Sequence, residues 1–304
     1  MRALFALALL CAALPARAQT PPTPLTIGIT AGSAMVPMLI ADQQGIFTRH
    51  GLAVKMIRIA FTAVAPQALA GGTIDIGAGT APVLLNADAG GLDLVAVSGL
   101  TRQIATRPVA SLLVRQGITI STPADLRGHT IAVAGLNGIF DVLLHAWLDK
   151  NHIDATQLHI VELPFTRMED ALRTGTVDAV TVVEPFRSRI VAACTATRLS
   201  DYVAELAPDI VDAFWMARGD WAGAHTDAIA RFRAALDEAI HVTVTDRPAA
   251  EAVEKAAFGA VGTVVPAYST AITADDFALY GTMMIKQGLL SGPAPNYRSM
   301  VYAK

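Results

Sequence analysis

Short apolar runs alternate with helix-spaced stretches along most of the chain, and Gly or Pro punctuates the joins. Leu25–Ile29 reads as a strand, Gly32-Ser33 as its turn, and Met35–Gln44 as a helix stopped at Gly45. Ala53–Ile59 follows as a strand, Ala63–Ala70 as a helix, and Ile74–Ala78 as a third strand after Gly71-Gly72. Gly79-Thr80-Ala81 leads into a helix over Pro82–Asp88, where Pro suits the first turn, and a strand at Leu94–Ser98 closes the unit.

The same order then returns. Thr130–Ala134 is predicted as strand, Gly135–Gly138 as turn, Ile139–Asn151 as helix, His159–Leu163 as strand, Met168–Arg173 as helix and Val177–Val183 as strand. The wording repeats with it. Ala68-Leu69-Ala70-Gly71-Gly72-Thr73-Ile74-Asp75 aligns with Ala171-Leu172-Arg173-Thr174-Gly175-Thr176-Val177-Asp178 at an offset of 103, and Thr26-Ile27 aligns with Thr130-Ile131 at 104. Two anchors agreeing within one residue predict a duplicated unit, and alternating strands and helices predict doubly wound, mostly parallel sheets.

Two apolar segments, Ala110–Arg115 and Ala213–Ala217, are left to join the halves as hinge strands. The C-terminal third is helical. Ala224–Val244 carries Ile229, Phe232, Leu236, Ile240 and Val244 in one stripe, and helices at Pro248–Ala257 and Ala274–Gln287 follow, all expected to pack on the first lobe. The predicted fold is α/β and two-lobed: residues 25–109 form the first part of lobe 1, 110–212 form lobe 2, and 213–304 return to lobe 1.

The start of the chain sets the compartment. Arg2 precedes an apolar run from Ala3 to Leu14, and Ala16-Arg17-Ala18 offers small residues where a signal peptidase reads, so residues 1–18 are expected to be a leader cleaved after Ala18 into the periplasm. Leu10 stands before Cys11 where lipidation would need a small residue. Residues 19–24, with Pro21, Pro22 and Pro24, read as an extended linker. Losing Arg2 and Arg17 with no acid moves the formal charge from −3 to −5, which disfavours nucleic acid or an anionic membrane as partner. Cys194 alone remains after cleavage, so no disulfide can form within the mature chain, and stability must come from a core that 53% apolar residues can supply.

In open parallel sheets small molecules bind beyond the carboxyl ends of the strands, where backbone N–H groups are exposed. That rule selects Gly32-Ser33-Ala34 and Gly79-Thr80-Ala81 in one lobe, and Gly135-Leu136-Asn137-Gly138 and Glu184-Pro185-Phe186 in the other. Ser33, Ala34, Gly79, Thr80, Asn137 and Gly138 are therefore candidate ligand contacts, with helix capping as the competing role for Ser33, Thr80 and Asn137. Phe140, Phe165, Phe186 and Trp215 could stack on a flat ligand or sit in the core, and Glu184 could meet a ligand amine or hold the lobes together.

Four segments together resemble a known family. They are Ala41-Asp42-Gln43-Gln44-Gly45-Ile46-Phe47 running into His50-Gly51-Leu52-Ala53-Val54, then Ala68–Gly77, then Ala124-Asp125-Leu126-Arg127-Gly128-His129-Thr130-Ile131-Ala132-Val133, then Ala171–Asp178. The chain is similar in these to the substrate-binding proteins of ABC importers for nitrate, sulfonates, taurine and thiamine-pyrimidine precursors, the NMT1/THI5-like group. The resemblance implies a type II periplasmic-binding-protein fold, a ligand between the lobes, closure on binding, no cofactor, and a monomer that meets an ABC permease. One departure bears on the ligand. Relatives that hold sulfonate or phosphate-like groups tend to carry Ser or Thr at the second lobe's first turn, where this chain has Leu136-Asn137-Gly138, and Arg102, Arg107, Arg167 and Arg187 are only nearby. A weak acid, heterocycle or aromatic compound is expected ahead of a dianion.

Enzyme signatures are missing: no His-Glu-x-x-His, Gly-x-Ser-x-Gly, Cys pair or phosphate-cradling Gly-x-x-x-x-Gly-Lys occurs. His145, His152 and His159 cross from a helix end into a strand and define no metal site. The expected function is capture of a small organic solute for an importer. A ligand sensor for a signalling partner, or an exported enzyme related to pyrimidine-precursor synthesis, remain the other readings.

Overall fold

The computed structural model describes residues 21–291 and 293–303; the expected leader, its cleavage point after Ala18 and Cys11 lie outside them. The strands are β1 (Thr23–Ile29), β2 (Leu52–Arg58), β3 (Ile76–Gly79), β4 (Leu94–Ile104), β5 (Ala110–Arg115), β6 (Thr130–Val133), β7 (His159–Glu162), β8 (Ala179–Val183), β9 (Ala196–Ser200), β10 (Asp209–Arg218) and β11 (Ala267–Tyr268). They form two sheets, ordered β11-β4-β10-β3-β1-β2 and β7-β6-β8-β5-β9. Thr23 and Pro24 already pair with Leu52 and Ala53, so the first strand begins within the stretch read as linker.

The repeated wording has a structural cause. Gly72 and Gly175 take left-handed φ of 67° and 71° just past the helices Ala65–Ala70 and Phe165–Arg173, a conformation that favours glycine. Three residues on, the Asp75 carboxylate accepts the Thr26 N–H at 2.7 Å and the Asp178 carboxylate accepts the Thr130 N–H at 3.1 Å. Each aspartate thus ties the loop after a helix to the first strand of its own repeat. Backbone N–H groups of Asp75 and Asp178 return the bond to Thr26 and Thr130, both at 2.8 Å.

Parallel pairing holds for β2-β1-β3 and β7-β6-β8. The strands expected as hinges make each sheet mixed. The chain crosses between the sheets after β4 and again after β9, and the strand that follows each crossing runs antiparallel to its neighbours: β5 between β8 and β9, β10 between β3 and β4. The first crossing carries no helix and the second only the short helix Tyr202–Leu206, and each returning strand runs against the neighbours it joins. β9, the helix Phe186–Ala192 and the extension of β4 past Ser98 were not legible in the sequence.

Helices Thr226–Thr245 and Arg247–Phe258 cover the first sheet. Phe232 meets Trp215 of β10 edge to face, with centroids 5.7 Å apart and planes at 89°. The last helix, Asp275–Lys286, does not serve lobe 1 alone. Lys286 Nζ lies 3.0 Å from Asp149, and the Gln287 amide just beyond the helix donates to the Val142 carbonyl at 2.9 Å, both on the second sheet's helix Ile139–Lys150. Among the described residues no helix is long and apolar enough to cross a membrane.

Candidate functional site

The carboxyl ends of the parallel strands in both sheets face one cleft of about 330 Å³. Thr30–Met35 after β1, Arg58–Thr62 after β2, and Ala78 and Thr80 at the end of β3 supply one wall. Ala134, Ile139 and Phe140 after β6, Pro164–Thr166 after β7, and Val183 and Glu184 at the end of β8 supply the other, with Val109, Asp212, Ala213 and Pro266 beside the crossings. A cavity lined mainly by apolar side chains with a few placed polar groups is the usual character of a small-molecule site.

Of the residues selected from sequence, Ser33, Ala34, Thr80, Phe140 and Glu184 line this cleft. Thr80 is 4% exposed, and its Oγ1 has no hydrogen-bond partner among the described residues. It precedes the helix Ala81–Ala89, but its side chain does not cap it. Ser33 is differently employed. Its hydroxyl donates to Glu254, its carbonyl accepts the Tyr268 hydroxyl at 2.6 Å, and its N–H donates to the Glu184 carbonyl at 2.9 Å. Burial pushes the Glu254 carboxyl up, while the Ser33 hydroxyl and the Gly262 N–H hold it back.

Glu184 is buried and serves the join between lobes. Its carboxylate pairs with Arg187 at 2.5 Å, accepts the Ser188 N–H at 3.2 Å, and accepts the Thr263 hydroxyl, from the far side of the crossing, at 3.2 Å. Arg187 in turn donates to the Pro108 carbonyl at 2.7 Å. The guanidinium that stood near the cleft in sequence is thereby spent on structure.

The other selected residues lie elsewhere. Gly79 is outside the cleft lining, and a Cβ there would sit 2.7 Å from the Met216 sulfur on the neighbouring strand. Asn137 is exposed with φ at 58°, and its N–H donates to Asp141 at 2.7 Å; the turn points outward and Gly138 is buried behind it. Phe186 is 1% exposed and packs between Phe165 and Phe258, so it backs the cleft-lining Phe165 ring at 6.1 Å without reaching the cavity. Trp215 is fully buried against Phe232 beneath the first sheet.

Sequence reasoning passed over Asp212, Arg58, Phe61, Thr62 and Thr166, all of which line the cleft. Asp212 had a signal: a lone carboxyl within the otherwise apolar run from Ile210 to Ala217, since unpaired acids are seldom buried. It is 8% exposed, and the Thr101 hydroxyl donates to its Oδ2 at 2.9 Å. Burial pushes this carboxyl up, and the Gln103 and Thr101 side chains beside it hold it back. Among the described residues, Arg58 is the one Lys or Arg lining the cavity; it lies over the Phe258 ring, 5.7 Å from the centroid.

Two lobes of α/β structure joined by two crossings around a solute-sized cleft define the periplasmic-binding-protein fold. The comparisons agree. Residues 33–250 match the NMT1/THI5-like family, and the chain belongs to it. The aliphatic sulphonate binding protein SsuA of Escherichia coli superposes with a TM-score of 0.75 at 21% identity, covering 92% of this chain and 97% of that one. The nitrate-binding protein NrtA of Synechocystis gives 0.76 at 14% identity, covering 91% and 84%. Among curated relatives, a putative thiamine biosynthesis protein of Haemophilus influenzae is 29% identical over 143 residues, 47% of this chain and 44% of that protein. The Synechocystis bicarbonate transport ATP-binding protein CmpC is 26% identical over 179 residues, 54% of this chain and 27% of that protein. The chain spans less than half the length of the curated relatives it matches.

Proposed function

We propose that this protein is an exported solute receptor that closes around a small organic molecule in the interlobe cleft and hands it to an ABC permease, with no covalent step. The observation that carries the reading is the cleft itself: about 330 Å³, walled by both sheets, with the unpartnered Thr80 hydroxyl and the Asp212 carboxyl among apolar residues. Phe61, Phe140 and Phe165 suit a heterocycle or aromatic ring. Export is supported by the leader-like residues 1–18, and importer delivery by the sulphonate- and nitrate-binding neighbours.

Native mass spectrometry of the mature protein from its own periplasm tests this. One small molecule per chain is expected, released intact on denaturation and unchanged in mass after hours on the protein. Conversion of that molecule into a product would replace the receptor with an enzyme.

A further inference from the structure

Asp212 owes its position to an irregularity in β10. Val211 pairs with Arg102 and Ala213 with Thr101, so Asp212 is an extra residue with no partner on β4. Such a bulge re-aims a side chain, and its consequence is visible: the consecutive residues Asp212 and Ala213 both line the cleft, where a regular strand would send them to opposite faces. The bulge sets a carboxyl into the cavity floor without a cation. Among the described residues no Lys or Arg pairs with it, in contrast to Glu184, whose charge Arg187 answers. A hydrogen-bonding group nearby is also unspent: Thr80 Oγ1 on the cleft wall.

A buried carboxyl with open acceptor capacity repels an oxyanion and takes a hydrogen-bond donor. Resting on the receptor reading, we infer that Asp212 sets the ligand class: a flat, uncharged or cationic molecule whose N–H group donates to Asp212 while an acceptor on the same molecule takes the Thr80 hydroxyl. Sulfonate, nitrate and carboxylate anions are excluded by the same carboxyl. Arg58 does not reverse this, because it is exposed at the end of β2 and already lies over Phe258.

Four probes of one shape separate the cases: benzamidine, benzamide, benzoate and benzenesulfonate, titrated calorimetrically into the wild type and Asp212→Asn. The wild type is expected to bind benzamidine and benzamide and to leave both anions unbound. Asp212→Asn should weaken benzamidine on the order of 10- to 100-fold, the scale of a hydrogen bond to a charged group, and should admit benzoate. Thr80→Val should weaken benzamide and leave the anions unbound. Folding is checked separately. Burial raises the Asp212 carboxyl, so the folded chain holds that proton more tightly than the unfolded one, and stability from this group falls as pH rises above the ordinary carboxylate range. The buried Tyr202 and Tyr280 hydroxyls are the ionisable groups that sense it, and neither is charged near pH 7. Asp212→Asn should therefore melt no lower than wild type at pH 7. Tighter binding of benzoate or benzenesulfonate by the wild type, an unchanged benzamidine-to-benzoate preference in Asp212→Asn, or no binding by any probe overturns the inference. An anionic solute captured one per chain would sink it while leaving the receptor standing; a chain that captures no solute sinks the receptor.

Discussion

Trp215→Ala should lower the unfolding free energy by about 3–5 kcal/mol, read as a shift of the urea midpoint, while the affinity of the loaded protein stays within a few-fold. The side chain is fully buried, edge to face with Phe232, and does not line the cleft. Truncation leaves a cavity between β10 and the helix Thr226–Thr245 that neither element can collapse to fill. Trp215→Phe should cost much less, because the indole Nε1 has no hydrogen-bond partner to lose. A ligand-affinity loss with unchanged stability would place Trp215 in the cleft after all.

Glu184→Ala carries the second large effect, again about 3–5 kcal/mol, for a different reason. Arg187 would remain buried with only Asp201, 4.0 Å away, to answer its charge, and the Ser188 N–H and Thr263 hydroxyl would lose their acceptor. Glu184→Gln keeps one acceptor oxygen and the shape of the side chain, and should fall short of that loss. Replacing the pair together, Glu184→Leu with Arg187→Met, should recover most of the stability, since the desolvation of both charges disappears with them. A double variant as unstable as Glu184→Ala would mean that the Thr263 contact across the crossing, and not the stranded arginine, dominates.

These two residues also mark where sequence reading succeeds and stops. The duplication was legible because it rests on backbone demands with few solutions: a left-handed glycine after each helix, and an aspartate that ties loop to strand. The cleft loops were legible because the ends of parallel strands in a duplicated fold must meet. Facing was not. Register shifts at three points where β10 meets β4 break the two-residue period, so no count along Ile210–Ala217 could say that the consecutive residues Asp212 and Ala213 both line the cavity. Asn137 failed similarly, since its left-handed φ turns the 135–138 loop outward. β9 shows no clean alternation of buried and exposed residues, and Arg198 interrupts it, which hid the strand.

Capture between the lobes is the central claim, and small-angle scattering tests it most directly. With the molecule recovered from the protein itself added back at saturation, the radius of gyration should fall and the scattering profile should match a chain whose two sheets have closed over the cleft, while Glu184→Gln still closes. A saturated protein with the radius of gyration of the empty one would contradict it.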